Sequence, residues 1–146
     1  MLMEWIEIDF QSSEAIYLQL RNQIIIGIAT KQLQDGESLP SVRQMADCLG
    51  VNMHTVNKAY GLLKQDGYLQ LDRRKGAVIS VQVSTDKHSE VEALHENMQM
   101  LVAEAICKDI SKEEFYQAVG RMYDVFYEQK QMKRYNVYSK NKDDSK

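Results

Sequence analysis

The sequence predicts an α+β domain followed by a short α-helical tail. Three observations carry that reading. In residues 39–69, "LPSVRQMADCLGVNMHTVNKAYGLLKQDGYL", the apolar spacing i, i+3, i+4, i+7 occurs twice. It falls on Val42, Met45, Ala46 and Leu49, then on Val56, Ala59, Tyr60 and Leu63, with only "GVNMHT" between. The chain next alternates with period two on both sides of a basic tip, "DRRKG". After Val83 the spacing returns to threes and fours over two stretches of roughly twenty residues each.

Each element has its own local justification. In "WIEIDF", Ile6, Ile8 and Phe10 alternate with Glu7 and Asp9, the pattern of a short half-buried strand. Ser12 and Ser13 offer an N-cap. Ile16, Leu20, Ile24 and Ile28 then predict an amphipathic helix over residues 14–31. "QDGESLP", with Gly36 and the sole proline, Pro40, reads as a turn. Ser41 and Gln44 form a capping box for a helix over about residues 41–49. Gly50 can close that helix, because glycine accepts the left-handed conformation beyond a helix end. The next helix runs from about Met53 to Asp66 and stops at Gly67. Leu69 and Leu71, then Ala77, Ile79, Val81 and Val83, alternate about "DRRKG", which makes a β-hairpin with a basic, glycine-containing tip.

In the tail, Val91, Leu94, Met98, Leu101 and Ala105 step by three and four. Ser111 and Glu114 form a second capping box, and Phe115, Val119, Met122 and Phe126 follow at four, three, four. These nearly heptad seams are typical of helices that pair. A tail of this size has little of its own to bury them against, so a second copy of the chain is the expected partner. Intramolecular packing is the plainer alternative. Tyr116, Tyr123, Tyr127, Tyr135 and Tyr138 crowd the same region, as interface packing or as an aromatic ligand cleft. The division is therefore residues 1–83, then a two-helix dimerisation region over 84–136, then a charged end, 137–146, expected to be disordered.

Composition narrows the function. At 146 residues the chain can bury a core without crosslinks. It has no apolar run of membrane-spanning length. The acidic start "MLMEWIEIDF" has no charged lead-in to an apolar segment, so no signal peptide and a cytoplasmic location are expected. Cys48 and Cys107, far apart in sequence, are expected to be reduced thiols packed as small apolar groups. There is no nucleophile–base pair, phosphate loop or metal cluster, so neither an enzyme nor a cofactor is expected. His88, Glu92 and His95 share a helix face, but such a row is more often an ordinary polar surface than a metal site.

The formal net charge is −3. Its distribution matters more. Residues 1–39 carry a net −4 and residues 84–146 a net −2, whereas residues 40–76 carry +3. That basic stretch holds the closely spaced helix pair and the hairpin tip. A helix, a tight glycine turn and a second helix make a helix-turn-helix unit. The polar start of the second helix, "NMHTVNK", is suited to base edges in the major groove. A hairpin directly after it is the wing of a winged helix, and its "RRKG" tip suits a phosphate chain.

Residues 10–82 resemble the DNA-binding domain of the GntR family of bacterial transcription regulators. "LPSVRQMADCLGVNMHTVNKAYGLLKQDGYLQLDRRKGAVIS" matches it along its whole length, and "IYLQLRNQIIIGI" resembles its first helix. "GVN-x-x-TV-x-x-AY" together with a short two-helix tail resembles the YtrA-like subfamily, whose members are dimeric repressors, often of transporter operons. The resemblance implies double-stranded DNA as partner and a palindromic operator. Ser41 and Arg43 would lie at the DNA, Arg43 on a phosphate or a guanine edge. Asn52, Met53, His54, Thr55 and Asn57 would form the recognition face, with Lys58 on the phosphates. Arg73, Arg74, Lys75 and Gly76 would make the wing contact. Met53 stands where many members carry a guanine-reading arginine, a change worth roughly 1–3 kcal/mol in specificity. Ala77 replaces the usual wing threonine, and Ala15 a common proline.

Plainer readings stand beside these. Arg43 can pair with Asp47 at i+4. The Asn52–Lys58 stretch can be a solvated helix start. The acidic total also fits a winged helix used for protein interaction. A small-molecule effector is left open.

Overall fold

The computed structural model describes residues 3–128. Its elements run α1 (Ile16–Ala29), α2 (Val42–Leu49), α3 (Met53–Gln65), β1 (Leu69–Asp72), β2 (Gly76–Ile79), α4 (Lys87–Cys107) and α5 (Lys112–Tyr127). They fall into two compact units that part between Gln82 and Val83. The charged end at 137–146 lies outside the described residues, as do Tyr135 and Tyr138.

In the first unit α1 packs on α3, and α3 on α2 and β1. Leu20 and Ile24, one turn apart on α1, are fully buried against Val56 and Leu63 of α3 and Met45 of α2 in one core. α1 is shorter than residues 14–31 at both ends. Ala15, which has no side-chain acceptor, takes the N-cap, while Ser12 accepts from the Glu14 N–H instead. At the far end Lys31 turns left-handed, with φ 64°, and stops the helix.

No strand forms over residues 5–10. The inward face is right at Ile6, which is buried, but Phe10 is 63% exposed. The backbone meets side chains of α1 rather than another strand. Gln23 accepts from the Glu7 N–H at 2.9 Å and donates to the Glu7 carbonyl. Gln19 does the same for Asp9, at 2.9 and 3.0 Å. These two buried glutamines, one helical turn apart, satisfy alternate residues as the edge of a sheet would. Trp5 from the same segment lies on Gly27, where a Cβ would come within 2.5 Å of its ring.

α2 forms as the capping box requires. Ser41 Oγ accepts from the Gln44 N–H at 3.1 Å, and Gln44 Oε1 accepts from the Ser41 N–H at 3.0 Å. Gly50 closes the helix in the left-handed region, φ 67°. β1 and β2 pair antiparallel from Leu69↔Ile79 to Asp72↔Gly76. The regular strand ends at Ile79 rather than running to Val83, and Val83 is exposed. Part of the "QDGESLP" turn covers the other edge of β2. Glu37 accepts from the Ile79 N–H, and the Leu39 N–H donates to Ala77, each at 2.8 Å.

In the second unit Asp86 caps α4 through the Ser89 N–H, and Ser111 and Glu114 form the capping box of α5. Beyond the turn that joins them, α4 and α5 share little contact. Val91, Leu94, Leu101 and Val119 are exposed, while Met98, Phe115, Met122 and Phe126 are half-buried. Both cysteines are exposed free thiols, not packed ones. Cys48 falls on the outer side of α2, whose inner side is filled by Met45 and Ala46, and Cys107 is the last residue of α4.

Candidate nucleic-acid interface

The turn before α2 is fixed from inside the core. The Tyr60 hydroxyl on α3 donates to the Pro40 carbonyl at 2.7 Å, and both residues are buried. Burial pushes the Tyr60 phenol well above its ordinary pKa, so it stays protonated and donating. Ser41 and Arg43 follow directly. Both are exposed, with the Ser41 Oγ lone pairs turned to the cap. No ion pair joins Arg43 to Asp47 among the described residues, which leaves the guanidinium to solvent.

Asn52 is the N-cap of α3, its side-chain oxygen accepting from the His54 N–H at 2.8 Å. Its amide NH₂ is left for an outside partner. Val56, Ala59, Tyr60 and Leu63 bury one side of α3. The opposite side carries His54, Asn57 and Lys58, all exposed, with Thr55 half-buried and Met53 46% exposed at the margins. Lys58 does not extend freely: its Nζ lies 4.0 Å from the centroid of the Tyr17 ring on α1. Such a cation–π contact steers the ammonium without consuming its charge.

The hairpin tip exposes Arg73, Arg74, Lys75 and Gly76. Gly76 is left-handed, φ 75°, which lets β2 begin straight after a three-residue loop. Asp72 Oδ1 accepts from the Lys75 N–H at 3.0 Å and the Arg74 N–H at 2.7 Å. Those two N–H groups, with the charge of Lys75, hold the Asp72 carboxyl below the usual carboxylate range.

Three supports of this surface leave no mark in the local sequence pattern. Arg21 on α1 binds Asp66 at the end of α3 through Nη2 and Nε, at 2.9 and 3.3 Å, which braces α3 from behind. Tyr17 holds Lys58, and Tyr60 holds Pro40. Each links positions far apart in sequence, so local spacing carries no sign of them. In the tail, His88 pairs with Glu92 at 3.2 Å on an exposed surface, and no group of three metal-ligating side chains converges among the described residues. No described helix is long and apolar enough to cross a membrane.

A capped helix pair, an outward polar face at the start of its second helix and a basic hairpin directly after it define a winged helix-turn-helix transcription regulator. Residues 12–79 match the family described as bacterial regulatory proteins, gntR family. The chain is 32% identical over 115 residues to the HTH-type transcriptional regulator YhcF of Bacillus subtilis, covering 75% of this chain and 91% of that protein. The chain belongs to the gntR family. It is also similar to the HTH-type transcriptional repressor YtrA of Bacillus subtilis, 29% identical over 77% of this chain and 87% of that one. Among solved structures it resembles YtrA from Sulfolobus acidocaldarius, a GntR-family transcription factor, with TM-score 0.57 and 34% identity. That match covers 70% of this chain and 97% of the other.

Proposed function

We propose that the chain is a homodimeric, sequence-specific repressor that binds a palindromic operator and acts in the cytoplasm. In this reading residues 1–83 bind DNA and residues 84–136 dimerise. The observation that carries it is the outward face of α3, where His54, Asn57 and Lys58 stand opposite the buried row. Arg43 adds a free cation beside that helix, and Arg73, Arg74 and Lys75 add three on the hairpin. Asn52, Met53 and Thr55 border the face, with Ser41 and Gly76 beside the flanking cations. A two-fold dimer places two such helices in successive major grooves, so half-sites should lie roughly 34 Å apart.

The dimer reading is supported by the apolar rows of α4 and α5. Val91, Leu94, Leu101 and Val119 expose large side chains that the two helices do not cover for each other. Isolated exposed apolar residues need no explanation, but a row of them at pairing spacing does. The name of the Bacillus subtilis relative supports repression.

Fluorescence anisotropy tests the reading. The protein is titrated into labelled DNA from upstream of its own gene, with a scrambled duplex as control, across a salt series. Tight binding to the upstream duplex alone, falling steeply with salt, is expected. Arg43→Ala should weaken it strongly, and unchanged affinity would remove Arg43 from the contact set. Leu101→Asp should give monomers in sedimentation. A variant that stays dimeric would refute this seam. No binding to either duplex at low salt would refute DNA recognition as stated.

A further inference from the structure

An acidic residue stands inside the basic hairpin tip, where charge alone makes it a liability toward a polyanion. We infer that Asp72 is a positioning residue for DNA binding, whose side-chain oxygen shapes the loop that presents Arg73, Arg74 and Lys75. The inference rests on the DNA reading above and adds a residue to it that the family resemblance does not supply.

The geometry is specific. Asp72↔Gly76 is the last pair of the hairpin ladder, so residues 73–75 have no strand partner. A loop with free N–H groups and three mutually repelling cations would otherwise sample many conformations. Asp72 Oδ1 takes two of those N–H groups, on Arg74 at 2.7 Å and Lys75 at 3.0 Å. The carboxylate thus acts on the backbone of the loop. No ion pair within 4 Å ties Arg73, Arg74 or Lys75 to an acid among the described residues, so all three side chains stay available to phosphates. Gly76 at φ 75° then returns the chain to β2. Fixing the loop before binding lowers the ordering cost that a floppy tip would incur on the DNA.

The two possible roles of Asp72 differ in sign. If it is only a negative charge near DNA, Asp72→Ala and Asp72→Asn should both bind more tightly than wild type. If its oxygen shapes the loop, the two variants should separate, because asparagine keeps an oxygen in place and alanine does not. Wild type and both variants are compared by anisotropy on the upstream duplex across salt. Asp72→Ala is expected to weaken binding by about three- to tenfold, and its log K against log salt slope should become shallower by about one as a tip cation leaves its phosphate. Asp72→Asn should bind at least as tightly as wild type. In the DNA-free protein, the Arg74 and Lys75 amides should exchange faster with solvent in Asp72→Ala and remain as in wild type in Asp72→Asn. Asp72→Ala binding as tightly as Asp72→Asn, or both variants losing affinity together, would overturn the inference. So would unchanged exchange at the two amides in Asp72→Ala. Wild-type protein that ignores the upstream duplex at low salt is a separate result, which refutes the DNA reading itself.

Discussion

Tyr60→Phe tests whether the core controls the turn ahead of α2. The substitution removes one oxygen and keeps the ring, so the packing of Tyr60 in the core survives. What is lost is the 2.7 Å bond to the Pro40 carbonyl, and that carbonyl sits in a buried residue. Leaving a buried acceptor unpaired costs about 1–3 kcal/mol. For a unit of this size that corresponds to a fall in melting temperature of roughly 4–8 °C per kcal/mol. The hydroxyl also sets a pH signature. Burial raises the folded pKa above the ordinary phenol value near 10, so the folded state holds its proton where the unfolded chain has lost it. The contribution is therefore complete below about pH 10 and declines as pH rises, by up to about 1.4 kcal/mol per pH unit. Tyr60→Phe cannot show that decline. Urea melts at pH 7 and near pH 11 should show the variant less stable at neutral pH and the gap narrowing at alkaline pH. All other titrating groups are shared, so the difference isolates Tyr60. Equal stability at pH 7, or a gap that does not change with pH, would refute the assignment of this bond.

Two predictions concern the N-terminal segment. Gly27→Ala places a Cβ within 2.5 Å of the Trp5 ring, which must swing away. A loss of about 1–3 kcal/mol is expected, with a red shift in the emission of the protein's sole tryptophan; an unshifted spectrum would contradict the contact. Gln23→Ala removes both bonds to the Glu7 backbone and should cost about 1–3 kcal/mol in melts. The Trp5 signal should report local release before the main transition. A single transition with native-like emission would show that Gln19 alone holds the segment.

What was legible in the sequence was local chemistry. Ser41 with Gln44, Gly50, Asn52 and the row Val56, Ala59, Tyr60, Leu63 place α2 and α3 almost to the residue, because caps and helical period act within one turn. The outward face of α3 follows from the same row by elimination. Residues 5–10 show where this fails. Their alternation correctly marks Ile6 as inward, but alternation cannot say what satisfies the backbone, and two glutamines of α1 do so in place of a strand. The span of β2 was overestimated for a similar reason. Val81 and Val83 continue the alternation past the end of the core that buries Ala77 and Ile79. The cysteines misled because small apolar character says nothing about which helix face they occupy. Tyr17 beneath Lys58 and Arg21 on Asp66 were invisible, since each pairs α1 with α3 across some forty residues.

The charge pattern sets a bound on the DNA contact that can be measured. Of the three acids within the basic segment, Asp66 is neutralised by Arg21 and Asp72 is turned to the loop backbone, so only Asp47 is unengaged by a partner there. The exposed cations of the segment are Arg43, Lys58, Lys64, Arg73, Arg74 and Lys75. Each phosphate neutralised steepens log K against log salt by about 0.9, so six cations give a slope no steeper than about −5.4 per copy and about −11 for a dimer. Lys58 on Tyr17 is the cation most constrained in reach, so Lys58→Ala should flatten the slope by less than one full contact if the ring holds it short of the phosphate. The Leu101→Asp variant then gives an independent reading of assembly. If the tail pairs two DNA-binding units, disrupting it should halve the slope on the same duplex as well as weaken binding. A variant that binds more weakly with its slope unchanged would mean that two DNA-binding units still engage the duplex together, and that Leu101 is not what pairs them.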